Sequence, residues 1–185
     1  MVELLKAKEI VERPETADRL RKCKYVMGTL YATDASDDYT FQNAYREFYD
    51  LEKTYSENFK TKFFYILEEM KDADSLSFRD ALERLYEIEN TYEMKAASML
   101  LNTVNPRFPV WDKDVAEKYF DVEEPAADEL SLDRCNKRYD DFYDKFYVYL
   151  NSPEGDALVK VFDQKFPNAE ISDVSKIEFI IWGDM

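Results

Sequence analysis

The stretch "SENFKTKFFYILEEM", residues 56–70, decides the fold class more clearly than any other part of the sequence. Ser56 stands directly before a periodic apolar run, in the position where a hydroxyl side chain caps a helix. The apolar residues of the run recur at the spacing of one helical face, opposite a charged face: Phe59, Phe63, Ile66, Leu67 and Met70. The stretch therefore predicts an amphipathic helix whose aromatic side packs into a core.

Segments on both sides repeat this pattern. "SFRDALERLYEIE", residues 77–89, begins with Ser77 and Asp80 in the spacing of a capping box, and its apolar face carries Phe78, Leu82, Leu85 and Ile88. Residues 37–55 place Phe41, Tyr45, Phe48 and Tyr49 on one face, and residues 138–150 do the same with Tyr139, Phe142, Tyr143, Phe146 and Tyr147. We interpret these rings as core residues rather than as a stacking platform for bases.

Glycine occurs only three times in 185 residues. This leaves little for hairpin turns, P-loops or dinucleotide-binding turns, which need positive φ or close backbone approach. We therefore predict an all-α protein, a compact orthogonal bundle of about nine helices. The predicted loops are 32–38, 71–76, 105–111, 121–131 and 167–172, and the final "SKIEFIIWGDM" is interpreted as a terminal helix.

The length of the chain favours a single helical domain, 1–185. The acidic loop 121–131 has no basic residue and could mark a boundary, with a C-terminal lobe beginning at about residue 131.

The charge and the reactive residue types limit the function. A net charge of −15, from 40 acidic and 25 basic residues, opposes binding to nucleic acid or anionic membranes and favours a basic protein partner. The absence of histidine excludes Ser-His and Cys-His catalysis and histidine zinc sites. Cys23 and Cys135 have no metal-binding spacing, and no segment resembles a signal peptide or membrane span, so we expect a cytoplasmic protein without a cofactor or metal.

Two basic runs are the candidates for an anion-binding patch. "RLRKCK" contains Arg19, Arg21, Lys22 and Lys24, and "RCNKR" contains Arg134, Lys137 and Arg138. Because acidic or apolar residues alternate with these bases, a solvated helix face is the favoured interpretation of both.

The stretch "KAASMLLNTVNPRFPVWDKDVAEKYF", residues 95–120, differs from generic helical sequence because two prolines interrupt it before Trp-Asp. Lys95 and Asp112 stand at the two ends of this element. They are either a catalytic pair or a solvated lysine and a helix cap, and we favour Asp112 as a cap, with Asp114 as the other candidate.

This stretch resembles the segment of helix-hairpin-helix DNA glycosylases that follows their glycine-rich hairpin. In that family a lysine opens a helix reading K-T-A-x-x-x-L-N-T, and a proline loop and an aspartate follow. Here the matching residues are Lys95, Ala97, Leu101, Asn102, Thr103, Pro109 and Asp112. "NPRFPVWDKDV" and "KIEFIIWG" also resemble bacterial proteins with this helical core.

The resemblance implies a glycosylase-like core, with Lys95 as a nucleophile on the sugar of a flipped nucleotide and Asp112 as the carboxylate that stabilises positive charge there. The sequence departs from the family at the hairpin. "IENTYEM" replaces L-P-G-V-G, which places Glu89 and Glu93 where a DNA phosphate should approach. The spacing between Lys95 and Asp112 is one residue shorter than usual.

Three functional hypotheses follow. The favoured one is a non-catalytic acidic helical domain that keeps a glycosylase-like core and binds a protein partner. The alternative is a divergent DNA glycosylase or lyase using Lys95 and Asp112. A third is mimicry of nucleic acid by the acidic surface.

Overall fold

The computed structural model describes residues 2–51, 55–73, 75 and 77–185. Within them the chain is all-α, as predicted, with ten α-helices and a short 3-10 turn at Leu30–Ala32. The helices are α1 Leu4–Glu12, α2 Pro14–Thr29, α3 Tyr39–Tyr49, α4 Glu57–Met70, α5 Phe78–Glu89, α6 Met94–Val104, α7 Lys113–Phe120, α8 Leu132–Leu150, α9 Pro153–Lys165 and α10 Asp173–Asp184. None of the described helices is both long and apolar enough to cross a membrane.

Side-chain caps fix several helix starts where the sequence predicts them. The Ser56 hydroxyl accepts a hydrogen bond from the Phe59 N–H, and the Ser77 hydroxyl accepts one from the Asp80 N–H. Each cap satisfies a backbone donor that the first turn of a helix leaves without a partner. The terminal segment is helical, as predicted. The predicted loop 71–76 includes residues 74 and 76, which lie outside the described residues.

The helix ends explain how the chain turns with so few glycines. The non-glycine residues Asp50, Asn90, Asp121 and Glu170 have positive φ, between 52° and 56°, and the first three are C-caps of α3, α5 and α7. Asn and Asp tolerate the left-handed region better than other side chains. The turns that glycine commonly makes at helix ends are therefore made here by short polar residues.

The aromatic stripes form the core, as predicted. Phe41, Tyr45, Phe59 and Phe63 are fully buried, and Tyr45 contacts Phe63 and Phe64 in edge-to-face geometry with ring centroids 5.6 and 5.3 Å apart. Edge-to-face pairs of this kind stabilise a core beyond the area they bury. On α8 the stripe divides, because Phe142 and Phe146 are buried whereas Tyr143 and Tyr147 are only half-buried.

The packing order places the 95–120 element at the centre of the structure. Helix α6 packs against α5, α4 and α2, while α8 packs against α5, α7, α9 and α10. The chain passes from α6 to α7 through the loop 105–112. The lobe boundary at 121–131 stays a prediction.

Candidate functional site

The loop 105–112 is held in place by side chains from three other parts of the chain, namely α6, α8 and the N-cap of α10. Buried Ser98 links α6 to the loop, because its hydroxyl donates to the Lys95 carbonyl (2.8 Å) and accepts from the Trp111 N–H (2.8 Å). Further bonds to the loop backbone come from Asn102 to Phe108 (2.8 Å), Tyr139 to Pro109 (2.9 Å), Tyr147 to Arg107 (2.7 Å) and Ser172 to Pro106 (2.7 Å). A loop anchored this densely gives the residue at its end a defined position.

The residue at that end is Asp112, and its two carboxylate oxygens have different partners. Oδ1 accepts from the backbone N–H groups of Asp114 (3.1 Å) and Val115 (3.4 Å), which makes Asp112 the N-cap of α7, as predicted. Oδ2 lies 2.7 Å from Nζ of Lys95, in the first turn of α6. The structure therefore brings the two predicted site residues together. From the sequence we expected either a Lys95–Asp112 pair or an aspartate that caps a helix, whereas Asp112 does both.

Lys95 and Asp112 lie on one wall of a cavity of about 270 Å³. The Lys95 side chain is 47% exposed and that of Asp112 24% exposed, so solvent reaches the ion pair. Among the described residues, the cavity is lined by two cationic, three anionic and six uncharged residues: Arg19, Lys95, Asp50, Asp112, Asp114, Tyr49, Met99, Val110, Val115, Trp182 and Met185. Its lining therefore has no excess of positive charge that would attract a phosphodiester.

Next to this cavity lies a buried acid that the sequence interpretation missed. Glu178 of α10 is 4% exposed, and its Oε1 accepts from the Val110 N–H at 2.6 Å. Burial raises the pKa of Glu178 to about 8, although the Val110 N–H and the Arg19 charge both oppose this rise. The signal in the sequence was a single acid inside the apolar run "KIEFIIW".

Arg19 packs against aromatic rings rather than facing a ligand. Its guanidinium lies 4.0 Å from the Trp182 ring centroid and within 6 Å of the Phe48 and Phe179 centroids. Burial lowers the pKa of Arg19, and the charge of Glu178 opposes this decrease. The Arg19 guanidinium thus supports the junction of α2 with α10 through cation–π contacts with Phe179 and Trp182 of α10.

The turn between α5 and α6 carries Glu89 and Glu93, the two acids singled out from the sequence. Asn90 adopts φ 56° at the end of α5, and α6 begins at Met94. Glu89 is exposed and accepts a hydrogen bond from Ser56 at 2.5 Å, while Glu93 lies beside Tyr55, whose pKa is raised by burial and by this carboxylate. The turn therefore presents two carboxylates.

The two basic runs form internal ion pairs. Arg21 pairs with Asp18, Lys22 with Asp18 and Glu47 (3.1 Å each), and Lys24 with Glu170 (3.6 Å). In the second run Arg134 pairs with Glu129 at 2.5 Å and Arg138 with Asp141 at 3.8 Å. Arg19 packs against aromatic rings, and the exposed Lys137 is the base of these runs that forms no ion pair with a described residue, so the described part of the chain leaves one lysine rather than a basic patch for a polyanion.

The protein matches no family model, no curated protein and no solved structure in these comparisons. The function of Lys95 and Asp112 must therefore be inferred from their geometry, and their catalytic role stays a prediction.

Proposed function

We propose that this protein is a non-catalytic acidic helical domain that keeps a glycosylase-like core and binds a basic protein partner. The observation that carries the proposal is the pair of carboxylates at the α5–α6 turn. In the glycosylase resemblance this turn grips a DNA phosphate through glycine backbone amides. Glu89 and Glu93 would instead repel the phosphate, because like charges at close range cost free energy.

The ion pair at Lys95 supports the same proposal. A lysine nucleophile must lose its proton, which requires a desolvated site or neighbouring positive charge. Lys95 has the opposite surroundings, since it is half exposed and its Nζ lies 2.7 Å from a carboxylate. This arrangement is that of a solvated surface ion pair rather than of a desolvated nucleophile.

The overall charge then indicates the kind of partner. A net charge of −15 gives a field that attracts cationic surfaces and speeds their association. Most bases of the two basic runs pair with nearby acids, so the runs create no strong local patch of positive potential. A protein surface rich in arginine and lysine is the partner class that fits.

The test compares two labelled probes by fluorescence anisotropy: a nona-arginine peptide and a short DNA duplex, with a nona-glutamate peptide as the charge control. We expect the arginine peptide to bind at about 50 mM salt and to weaken at about 300 mM, as screened charges do, and the duplex to stay free. Tighter binding of the duplex than of the peptide, or no binding of either, would overturn the proposal.

A second candidate function is a divergent DNA lyase, and one observation favours it. Lys95 and Asp112 lie on the same wall of one cavity, next to the apolar side chains of Met99 and Val115. This juxtaposition is what the resemblance implies for a lysine nucleophile and its aspartate. The candidate predicts an imine between Lys95 and an abasic sugar, which borohydride reduction would trap as a covalent adduct.

A further inference from the structure

A second cavity, of about 510 Å³, lies between the start of α5, the loop 105–112 and the middle of α8. Its lining includes four aromatic rings and one carboxylate: Phe78, Phe108, Tyr139, Tyr143 and Asp140. We call this the aromatic groove. It is larger than the cavity at Lys95, and the proposed non-catalytic function assigns it no role.

The rings of the aromatic groove are held rigidly. Phe78 and Tyr139 stack with centroids 3.9 Å apart and planes 6° apart, and both are buried, so they form the floor. The Tyr139 hydroxyl donates to the Pro109 carbonyl, which fixes its ring. Phe108 and Tyr143 are half-buried with centroids 5.9 Å apart, and they form exposed walls.

Negative charge lies along the α8 side of the groove. Asp140 is exposed, and burial of part of its carboxyl together with the neighbouring Asp144 and Asp141 raises its pKa. Arg138 compensates Asp141, whereas neither Asp140 nor Asp144 forms an ion pair with a described residue. The Asn136 amide donates to Asp140 Oδ2 at 2.9 Å and orients the carboxylate.

Arg79, the one cation that the described residues contribute to the groove wall, already forms an ion pair outside the groove. Arg79 of α5 lies on the wall but its Nη1 is 2.5 Å from Oδ1 of Asp133. The groove thus combines partly exposed ring surface with one lining carboxylate, Asp140, that forms no ion pair with a described residue. This combination is complementary to a flat cation, because ring faces and carboxylates both attract positive charge.

We propose that the aromatic groove binds the guanidinium of an arginine side chain in a basic segment of the partner protein. The inference rests on the proposed function and specifies where the partner binds. Arginine fits better than lysine, because a planar, weakly hydrated guanidinium stacks on an aromatic ring while bonding to a carboxylate. In this arrangement Tyr143 or Phe108 supplies the ring and Asp140 the acceptor.

The test measures the affinity of labelled nona-arginine for the native chain and for three variants. Asp140→Asn and Tyr143→Leu alter the groove, and Glu117→Gln removes one charge from an exposed position on α7 as the matched control. We expect each groove variant to weaken binding about fivefold or more, and Glu117→Gln less than about twofold, the change expected from one exposed charge. Far-UV circular dichroism and thermal melting check that every variant folds.

A second measurement shows whether the guanidinium binds in the groove itself. Titration of the native chain with ethylguanidinium should shift the NMR signals of the Asn136 side-chain amide, which contacts Asp140 directly. Unchanged Asn136 signals, or equal weakening by Asp140→Asn and Glu117→Gln, would overturn the groove while leaving the proposed function intact. If the native chain does not bind the peptide, the proposed function fails and the groove proposal fails with it.

Discussion

The double role of Asp112 gives a prediction that separates its cap from its ion pair. Asp112→Asn keeps a side-chain oxygen for the Asp114 and Val115 N–H groups but removes the charge that faces Lys95. Asn is as good an N-cap as Asp, whereas Asp112→Ala removes both interactions. Lys95→Met removes only the ion pair and keeps most of the apolar stem. Together with the double variant Lys95→Met/Asp112→Asn, these three variants separate the contribution of the cap to stability from that of the ion pair.

The magnitudes follow from the geometry. Loss of the cap costs about 1 to 2 kcal/mol of unfolding free energy. Loss of the ion pair costs about 0.5 kcal/mol, because Lys95 is 47% exposed and solvent screens the charges. We therefore expect Asp112→Ala to lower stability most, and Asp112→Asn and Lys95→Met to lower it slightly and by similar amounts. Because both single variants remove the same ion pair, the double variant Lys95→Met/Asp112→Asn should cost about as much as either single variant rather than their sum.

Urea unfolding followed by circular dichroism measures these differences, provided that the slopes stay equal. A loss above about 2 kcal/mol in Asp112→Asn or Lys95→Met would refute the reasoning, since it would mean a desolvated pair. A gain in stability in either variant would also refute the reasoning, because it would mean that the native pair is strained. Replacing a residue of a strained active site commonly stabilises a protein, whereas replacing a helix cap or one partner of a surface ion pair does not.

Two further predictions concern the core. Glu178→Gln should become more stable relative to the native chain as pH rises from about 4.5 to about 8, by up to about 1.4 kcal/mol per pH unit. The raised pKa of Glu178 makes the native state hold a proton that the unfolded chain has lost, so the stability of the native chain falls as pH rises through this window. Parallel stability–pH curves for the native chain and Glu178→Gln would contradict this prediction. Gly155→Ala should destabilise by about 1 to 3 kcal/mol, because its Cβ would lie 2.3 Å from the Tyr149 carbonyl oxygen. Gly28→Ala is the control, since beyond its neighbours and the backbone of its own helix no atom of a described residue lies within 4 Å of the added Cβ. An equal loss of stability in both variants would contradict the argument.

The sequence predicted those parts of the fold that depend on local patterns. The stripe through Phe59 and Phe63 and the cap at Ser56 follow from residues within one helix, and the structure confirms them. The low glycine count also predicted the all-α class. Which polar residues would take positive φ, such as Asn90 and Asp121, could not be predicted, because several of them are compatible with a helix end.

The site was less predictable because its contacts join distant parts of the chain. The cap at Asp112 is local and was predicted, whereas its contact with Lys95 depends on how the loop 105–112 folds back along α6. Glu178 meets the Val110 N–H across 68 residues, and no periodic pattern indicates that meeting. The sequence could show only that an acid in an apolar run needs a buried partner.

Borohydride trapping on a DNA duplex with one abasic site tests most directly the claim that this domain is not a lysine-dependent lyase. The native chain is compared with Lys95→Ala and with Lys113→Ala, a matched control that removes a nearby exposed lysine. We predict that the native chain gives no more covalent adduct than Lys95→Ala. An adduct that the native chain and Lys113→Ala both form and Lys95→Ala does not would contradict the account and establish Lys95 as the nucleophile.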